Sequence, residues 1–234
     1  MPTSNESLNN QQSICHLNNF GLIKISGLDA NKFLQGQITV NIDLVTENQL
    51  VLAATCNPQG RVLSLFFISK KADDFYLILK SDTIESTVAH FKKYAVFFKV
   101  AITDHSNQFA LYGLNQLTTD SLKSSIHFTS VSWLEKNIHI ILVDKTVKAV
   151  FETSLAPEIQ IRPEQNWLTG LAMSGVSWLE NKSQAEFLPH NIDLPQLKAV
   201  DFKKGCFTGQ EVIARMQYKG KLKSHLQLFQ MASN

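Results

Sequence analysis

Two apolar runs, residues 50–56 (LVLAATC) and 61–69 (RVLSLFFIS), flank the tetrapeptide Asn57-Pro58-Gln59-Gly60. Pro at the second position of a turn and Gly at the fourth favour type I geometry, so the runs predict a β-hairpin. A hairpin commits this part of the chain to antiparallel sheet, because parallel strands need a long crossover between them. The neighbouring segments extend that pattern. Residues 20–25 suit a short strand closed by Ser26-Gly27, then a short helix over 29–33 with Ser26 or Asp29 as its cap. Another strand is predicted over 74–80. Residues 82–93 carry Ile84, Val88 and Phe91 at helical spacing, with Asp82 near the start and Lys92-Lys93 in the last turn, as the helix dipole prefers.

A strand over 96–103 follows, and a second round of elements comes after it. Strands are predicted over 109–113 and 138–143, and helices over 115–123 and 145–154, the last ending before Pro157. Strands and helices mixed without long βαβ spacing imply an α+β class with mostly antiparallel sheets. The two rounds suggest two packed subdomains, about 16–105 and 106–225. They lie between a flexible N-terminus (1–15), whose first dozen residues have little apolar content to bury, and a C-terminal tail (226–234).

A chain of 234 residues with 44% apolar and 18% charged residues can bury a substantial core. Residues 1–13 are polar, and no uncharged apolar run approaches the roughly 18 residues a membrane span needs, so no membrane contact is expected. Cys15, Cys56 and Cys206 lie far apart without a CxxC pair, which favours reduced thiols in a cytoplasmic protein over a disulfide scaffold. The seven histidines show no metal-ligand spacing, and no Walker, Rossmann or GxSxG pattern is present.

The net charge of +2 is too small to imply nucleic-acid binding by the surface as a whole, but the charge is unevenly spread. Residues 198–225 hold seven Lys or Arg (198, 203, 204, 215, 219, 221, 223) against Asp201 and Glu211, a local balance of +5. The stretch 215–225, with Tyr218 inside it, could contact RNA phosphates, a solvated cationic face being the alternative. Residues 203–220 carry more chemistry. Thr208-x-x-Glu211 reads as a capping box opening a helix over about 209–217, with Val212 and Met216 on its apolar face and Gly220 as its stop. Cys206 would sit just before that helix beside Lys203 and Lys204, a setting that favours a thiolate, although a buried inert thiol in a tight turn fits as well. Gly205 and Gly209 allow positive φ or close approach of a ligand.

Lys204-Gly205-Cys206-Phe207-Thr208-Gly209-Gln210-Glu211, followed by Ala214-Arg215 and Gly220, resembles the KGCYxGQE…AR…G signature of the YgfZ family. Leu34-Gln35-Gly36-Gln37-Ile38-Thr39 is similar to the family's LQGQ(V/I)T segment, and Asn57 to Arg61 to its polar turn. Lys93-Tyr94-Ala95-Val96-Phe97 and Phe187-Leu188-Pro189-His190 resemble two more of its segments, in family order. The resemblance implies the folate-binding fold of the glycine-cleavage T protein, built from ferredoxin-like units, here without the family's C-terminal β-barrel. It also implies an accessory role for iron–sulfur proteins or their assembly factors, and thereby in tRNA modification. Any contact with tRNA would be indirect. Cys206 is then the functional thiol, with Lys204, Gln210, Glu211 and Arg215 organising its loop. Trp167 and Phe20 would face tetrahydrofolate or a derivative.

The sequence departs from that pattern in three places. Residues 60–65 (GRVLSL) lack the aspartate that the T protein uses for aminomethyl transfer, so the proton handling of that reaction has no obvious source. Met173 stands where relatives carry a glutamate able to accept hydrogen bonds from the pterin. Phe207 replaces a tyrosine and keeps only its ring. A direct RNA-binding module and, less favoured, a folate-dependent one-carbon transferase are the alternative functions.

Overall fold

The computed structural model describes residues 13–47, 49–115, 129–133, 138–157 and 159–229. Ten strands and five helices can be followed. β1 (Ser13–His16) and β2 (Phe20–Ser26) lead into α1 (Ala30–Gln37), and β3 (Val51–Cys56), β4 (Val62–Lys71) and β5 (Asp74–Lys80) form a meander. α2 (Ile84–Tyr94) and β6 (Ala101–Asp104) complete the first round. The second round runs through β7 (Phe109–Asn115), β8 (Thr129–Trp133), β9 (Ile138–Asp144), α3 (Lys148–Ser154), β10 (Gln160–Arg162) and α4 (Glu164–Met173). After a long irregular segment the described chain reaches its last helix, α5 (Gln210–Lys219).

The strands make two five-stranded sheets, ordered β3-β4-β5-β2-β6 and β10-β1-β7-β9-β8. Every pairing between these strands is antiparallel except β1 with β10, in line with the α+β reading of mostly antiparallel sheets. The first sheet is covered on both faces. One apolar cluster joins residues of both sheets, including Leu52, Leu65, Phe67, Leu111 and Ile140. A second lies between the first sheet and α1 and α2, through Phe33, Phe66 and Phe91. A third packs Phe151 of α3 on Tyr112 and Ile141. Burial on both faces explains why β4 reads as a near-continuous apolar run instead of alternating.

The predicted hairpin forms between β3 and β4. Asn57 O accepts from Gly60 N at 2.9 Å, Gly60 takes φ +74°, and the register slips between Thr55 and Cys56. A left-handed glycine after the turn, with a bulge beside it, is the usual three-residue hairpin solution.

Several sequence expectations are corrected. Residues 13–15, assigned to a flexible terminus, belong to β1, where Ile14 and Cys15 are fully buried. Asp29 does not cap α1 with its side chain; its carboxylate accepts from Lys99 N at 2.7 Å and ties the helix start to the chain before β6. The strand expected over 96–103 begins only at Ala101, because Ala95–Phe97 prolongs α2 as a 3-10 turn. Val96 and Phe97 stand in solvent there, so their apolar character does not signal a strand. The helix expected over 115–123 lies largely outside the described residues. Asn115 itself ends β7.

Residues 174–209 hold no strand and only single 3-10 turns at Asn181–Ser183 and Pro189–Ile192. They nevertheless contribute Val176, Leu179, Leu194 and Phe207 to the cluster between the sheets. Trp167 of α4 closes the same cluster against Gly113 of β7, where any Cβ would run into the indole ring. Gly113→Ala should therefore cost about 2 kcal/mol through overpacking. At this chain length that lowers Tm by roughly 6 °C, read by thermal unfolding of both proteins.

Candidate functional site

The C-terminus of α1 presents four carbonyls without helical partners, as every helix does. Here all four, of Gln35, Gly36, Gln37 and Ile38, find donors beyond the last helical bond, which runs from Ile38 N to Leu34 O at 3.1 Å. Gln37 O accepts from Thr55 Oγ1 at 2.9 Å. The other three are reached from far along the chain. Gln35 O accepts from Lys204 Nζ at 2.8 Å, and Gly36 O from Thr208 N at 3.2 Å. Lys204 Nζ also donates to Ile38 O at 2.7 Å and Val40 O at 2.8 Å. Its three donors thus meet three carbonyls, which is the full capacity of an ammonium. The positive charge lies at the negative end of the α1 dipole, where it is favoured.

Lys204 is 8% exposed, with its ammonium 5.1 Å from the Phe207 ring centre. Burial pushes it down to about 8, against Asp201 and Asp43, which favour the charged form. The approach to this loop is fixed as well. Asp201 N donates to Thr39 O at 2.9 Å, and Thr39 Oγ1 donates to Ala199 O at 2.6 Å.

Cys206 is exposed between the two anchors of that loop, Lys204 and Thr208. The two lysines expected beside it behave differently: Lys203 is exposed, while the Lys204 ammonium is turned into the α1 carbonyls. The capping box expected at Thr208 and Glu211 does not form. Gly209 is the N-cap at φ +85°, without a side-chain cap bond. A Cβ on Gly209 would lie 2.5 Å from Asn57 O and 2.9 Å from Gly60 Cα. One on Gly60 would lie 3.1 Å from Val212 Cβ. The two left-handed glycines therefore interlock, seating the start of α5 on the hairpin turn, and no larger residue allows that approach. Gly205 has ordinary backbone geometry and open space at its Cβ position, so the freedom expected of it is used by Gly209 alone.

The buried face of α5 is carried by Ile213, fully inaccessible, not by Val212 and Met216 as expected. Gln210 is half-buried at the helix start, while Glu211 and Arg215 are exposed one turn apart. Gly220 ends the helix where the sequence predicted a stop.

The two aromatic candidates lie elsewhere. Phe20 and Trp167 meet edge to face at 5.6 Å, and Lys80 Nζ stands 4.5 Å over the Phe20 ring while pairing with Glu164 at 3.3 Å. Trp167 is 2% exposed and fills the core. Sequence reasoning missed Trp178, which packs 5.0 Å from Phe20 and 5.3 Å from Phe67. Its indole N–H is buried without a partner among the described residues. The signal was weak, a third tryptophan in a segment without helix or strand pattern. Met173 is 66% exposed at the end of α4. Ser64, in the stretch without a carboxylate, is buried on β4.

The GCVT N-terminal domain family matches residues 4–116. The chain is 31% identical over 232 residues to the tRNA-modifying protein YgfZ of Hamiltonella defensa subsp. Acyrthosiphon pisum (strain 5AT), covering 90% of this chain and 67% of that protein. It is 31% identical over 229 residues to the protein of the same name from Enterobacter sp. (strain 638), covering 92% and 70%. Its fold matches the glycine cleavage system aminomethyltransferase T from Bartonella henselae with a TM-score of 0.73 at 15% identity, over 92% of this chain and 66% of that one.

The environment of Lys204 generates a pH prediction. Its folded pKa, about 8, lies below the usual 10.5, so the native state releases this proton first. The Lys204-linked share of stability is flat below pH 8 and rises from there toward 10.5. NMR of the lysine ε-carbons should show the Lys204 resonance titrating near 8. Lys204→Ala leaves the carbonyls unpaired and should cost about 3 kcal/mol at neutral pH, measured by denaturant unfolding.

Proposed function

Because the chain belongs to the family of the tRNA-modifying protein YgfZ, we propose that it serves tRNA modification as an accessory protein, supporting iron–sulfur proteins through the thiol of Cys206. The observation that carries this reading is the mounting of that thiol. Cys206 is exposed, yet the loop on both sides of it is bonded to the end of α1. A side chain presented on a fixed backbone loses little conformational freedom when it meets a partner. A cysteine acts as nucleophile or metal ligand in its thiolate form, and an accessible site is where such chemistry occurs. Lys204 and Gly209 fix the loop, while Gln210 and Glu211 border it in the first turn of α5 and Arg215 follows one turn on. The partners in this reading are iron–sulfur proteins or their assembly factors in the cytoplasm. Among the described residues no helix is long and apolar enough to cross a membrane.

Tetrahydrofolate enters the same reading through Phe20, Trp167 and Trp178. The unpartnered indole N–H of Trp178 supports it, since a flat heterocycle with acceptor atoms would satisfy a donor otherwise costly to bury. When bound, the folate would supply a one-carbon carrier. The residues of this chain would hold its ring by aromatic contact, because the Met173 sulfur is only a weak acceptor. Aminomethyl transfer stays outside the proposal, as residues 60–65 offer no carboxylate to manage its protons.

In cells lacking their own YgfZ protein, the wild-type chain should restore an iron–sulfur-dependent tRNA modification. Cys206→Ser, at matched soluble expression, should leave it near background. Full rescue by the serine variant would remove the thiol from the mechanism, and no rescue by folded wild type would remove the accessory role. For the folate, titration with tetrahydrofolate should quench the tryptophan emission, and Trp178→Phe should weaken binding by roughly tenfold, as loss of one buried hydrogen bond implies. Unchanged emission at saturating folate would sink that part.

A further inference from the structure

The outward face of α5 takes no part in holding the Cys206 loop. With Ile213 buried, the helix turns Glu211, Arg215, Tyr218 and Lys219 to solvent, at the spacing that puts them on one side. Tyr218 is 71% exposed, although large aromatic side chains are usually covered. It is also held in place: its ring meets Phe202 edge to face at 6.1 Å, and Phe202 in turn lies 6.1 Å from His190. His190 faces Gln217 of the same helix at 3.1 Å.

Beyond Gly220 the chain runs extended and is strapped to the same corner. Asn191 Nδ2 donates to Ser224 O at 2.7 Å, and Leu226 N donates to Asn191 O at 3.0 Å. The strap fixes the segment that carries Lys221 and Lys223 directly after α5, the helix of Arg215 and Lys219. All four cations are exposed, and among the described residues none is in a salt bridge. Glu211 is the one acid on that face of the helix.

We propose that the outer face of α5 and the strapped segment 221–224 bind single-stranded RNA, with Tyr218 as a stacking platform and Arg215, Lys219, Lys221 and Lys223 as phosphate contacts. A supported aromatic ring among unpaired cations is the combination that recognises unstacked bases on a polyanionic backbone. Lipid headgroups would need an apolar stripe along the helix; its outer face offers a single tyrosine amid charges, and the exposed Leu222, Leu226, Leu228 and Phe229 lie on the non-helical segment after it. The RNA contact extends the proposed function to a direct encounter with the nucleic acid, and it does not depend on Cys206.

Fluorescence anisotropy with a labelled single-stranded RNA oligonucleotide and an unmodified tRNA transcript tests this. Binding should weaken steeply with salt. The triple variant Lys219→Glu/Lys221→Glu/Lys223→Glu should lower the slope of log K against log salt by about 2 in magnitude, at about 0.7 per phosphate contact. Tyr218→Ala should weaken binding by roughly tenfold with the slope unchanged, and Tyr218→Phe should restore it. Lys92→Glu, a charge reversal on α2, and Cys206→Ser should both bind as wild type does. The Cys206→Ser arm separates this proposal from the accessory reading, since either can fail while the other stands. Absence of binding at low salt, indifference to Tyr218→Ala, or equal affinity for duplex DNA or anionic vesicles would overturn the RNA surface.

Discussion

A single ammonium group joins two segments far apart in this chain. Lys204 donates to Gln35, Ile38 and Val40, and so completes the C-terminus of a helix that lies more than 160 residues earlier. α1 has no basic residue in its own last turn. The cation that its dipole and its free carbonyls call for arrives from the Cys206 loop. Lysine suits the place better than arginine would. Three carbonyls converge on one point, and an ammonium has three donors about one atom, whereas a guanidinium spreads its donors over a plane. Burying that charge is costly in itself, so the site persists because every donor is met. The same bonds that satisfy Lys204 set the backbone on which Cys206 is carried.

The second constraint is steric. Gly60 and Gly209 approach each other so closely, both left-handed, that the hairpin turn and the start of α5 have one way to fit. Lys204 holds one side of the loop and Gly209 the other, with Thr208 N bonded to Gly36 O between them. Ile213 then anchors α5 in the cluster between the two sheets, so the position of the loop is tied to the main core. Helix, turn and loop are thus mutually defining, which relates three of the five recognisable stretches of sequence, Leu34–Thr39, Asn57–Arg61 and Lys204–Glu211. They are one structural unit read in three places.

That unit was legible as motifs and illegible as contacts. Hairpin chemistry at Asn57–Gly60 and the periodicity of Ile84, Val88 and Phe91 are local, and local patterns gave β3, β4 and α2 close to their observed bounds. The capping box at Thr208 failed because a tertiary demand, the approach to Gly60, made Gly209 the cap. Phe97 misled in the opposite sense, an apolar residue left 94% exposed. Lys204 looked like a neighbour for the thiol because sequence shows adjacency and not direction. Its side chain points inward to partners that no spacing rule could name. Trp178 was hidden for a related reason: residues 174–209 have no periodicity to read, and their apolar side chains reach the core from irregular backbone.

The geometry of α5 separates two kinds of work along ten residues. Its first turn is fixed by glycine contacts and borders the Cys206 loop; its last turns face outward with Arg215, Tyr218 and Lys219. A helix this short is marginal alone, so its order comes from packing, through Ile213 and the interlocked glycines. Arg215, Tyr218 and Lys219 are therefore presented by a rigid element, with Tyr218 braced on Phe202. The two faces are then free to vary independently. Substitutions at Arg215, Tyr218 or Lys219 leave the Lys204 bonds intact, while any change at Gly209 or Lys204 moves loop and helix together. The cationic outer face of α5 stands apart from the anchoring of the helix, which runs through Ile213 and through Gly209 at the edge of the Cys206 loop.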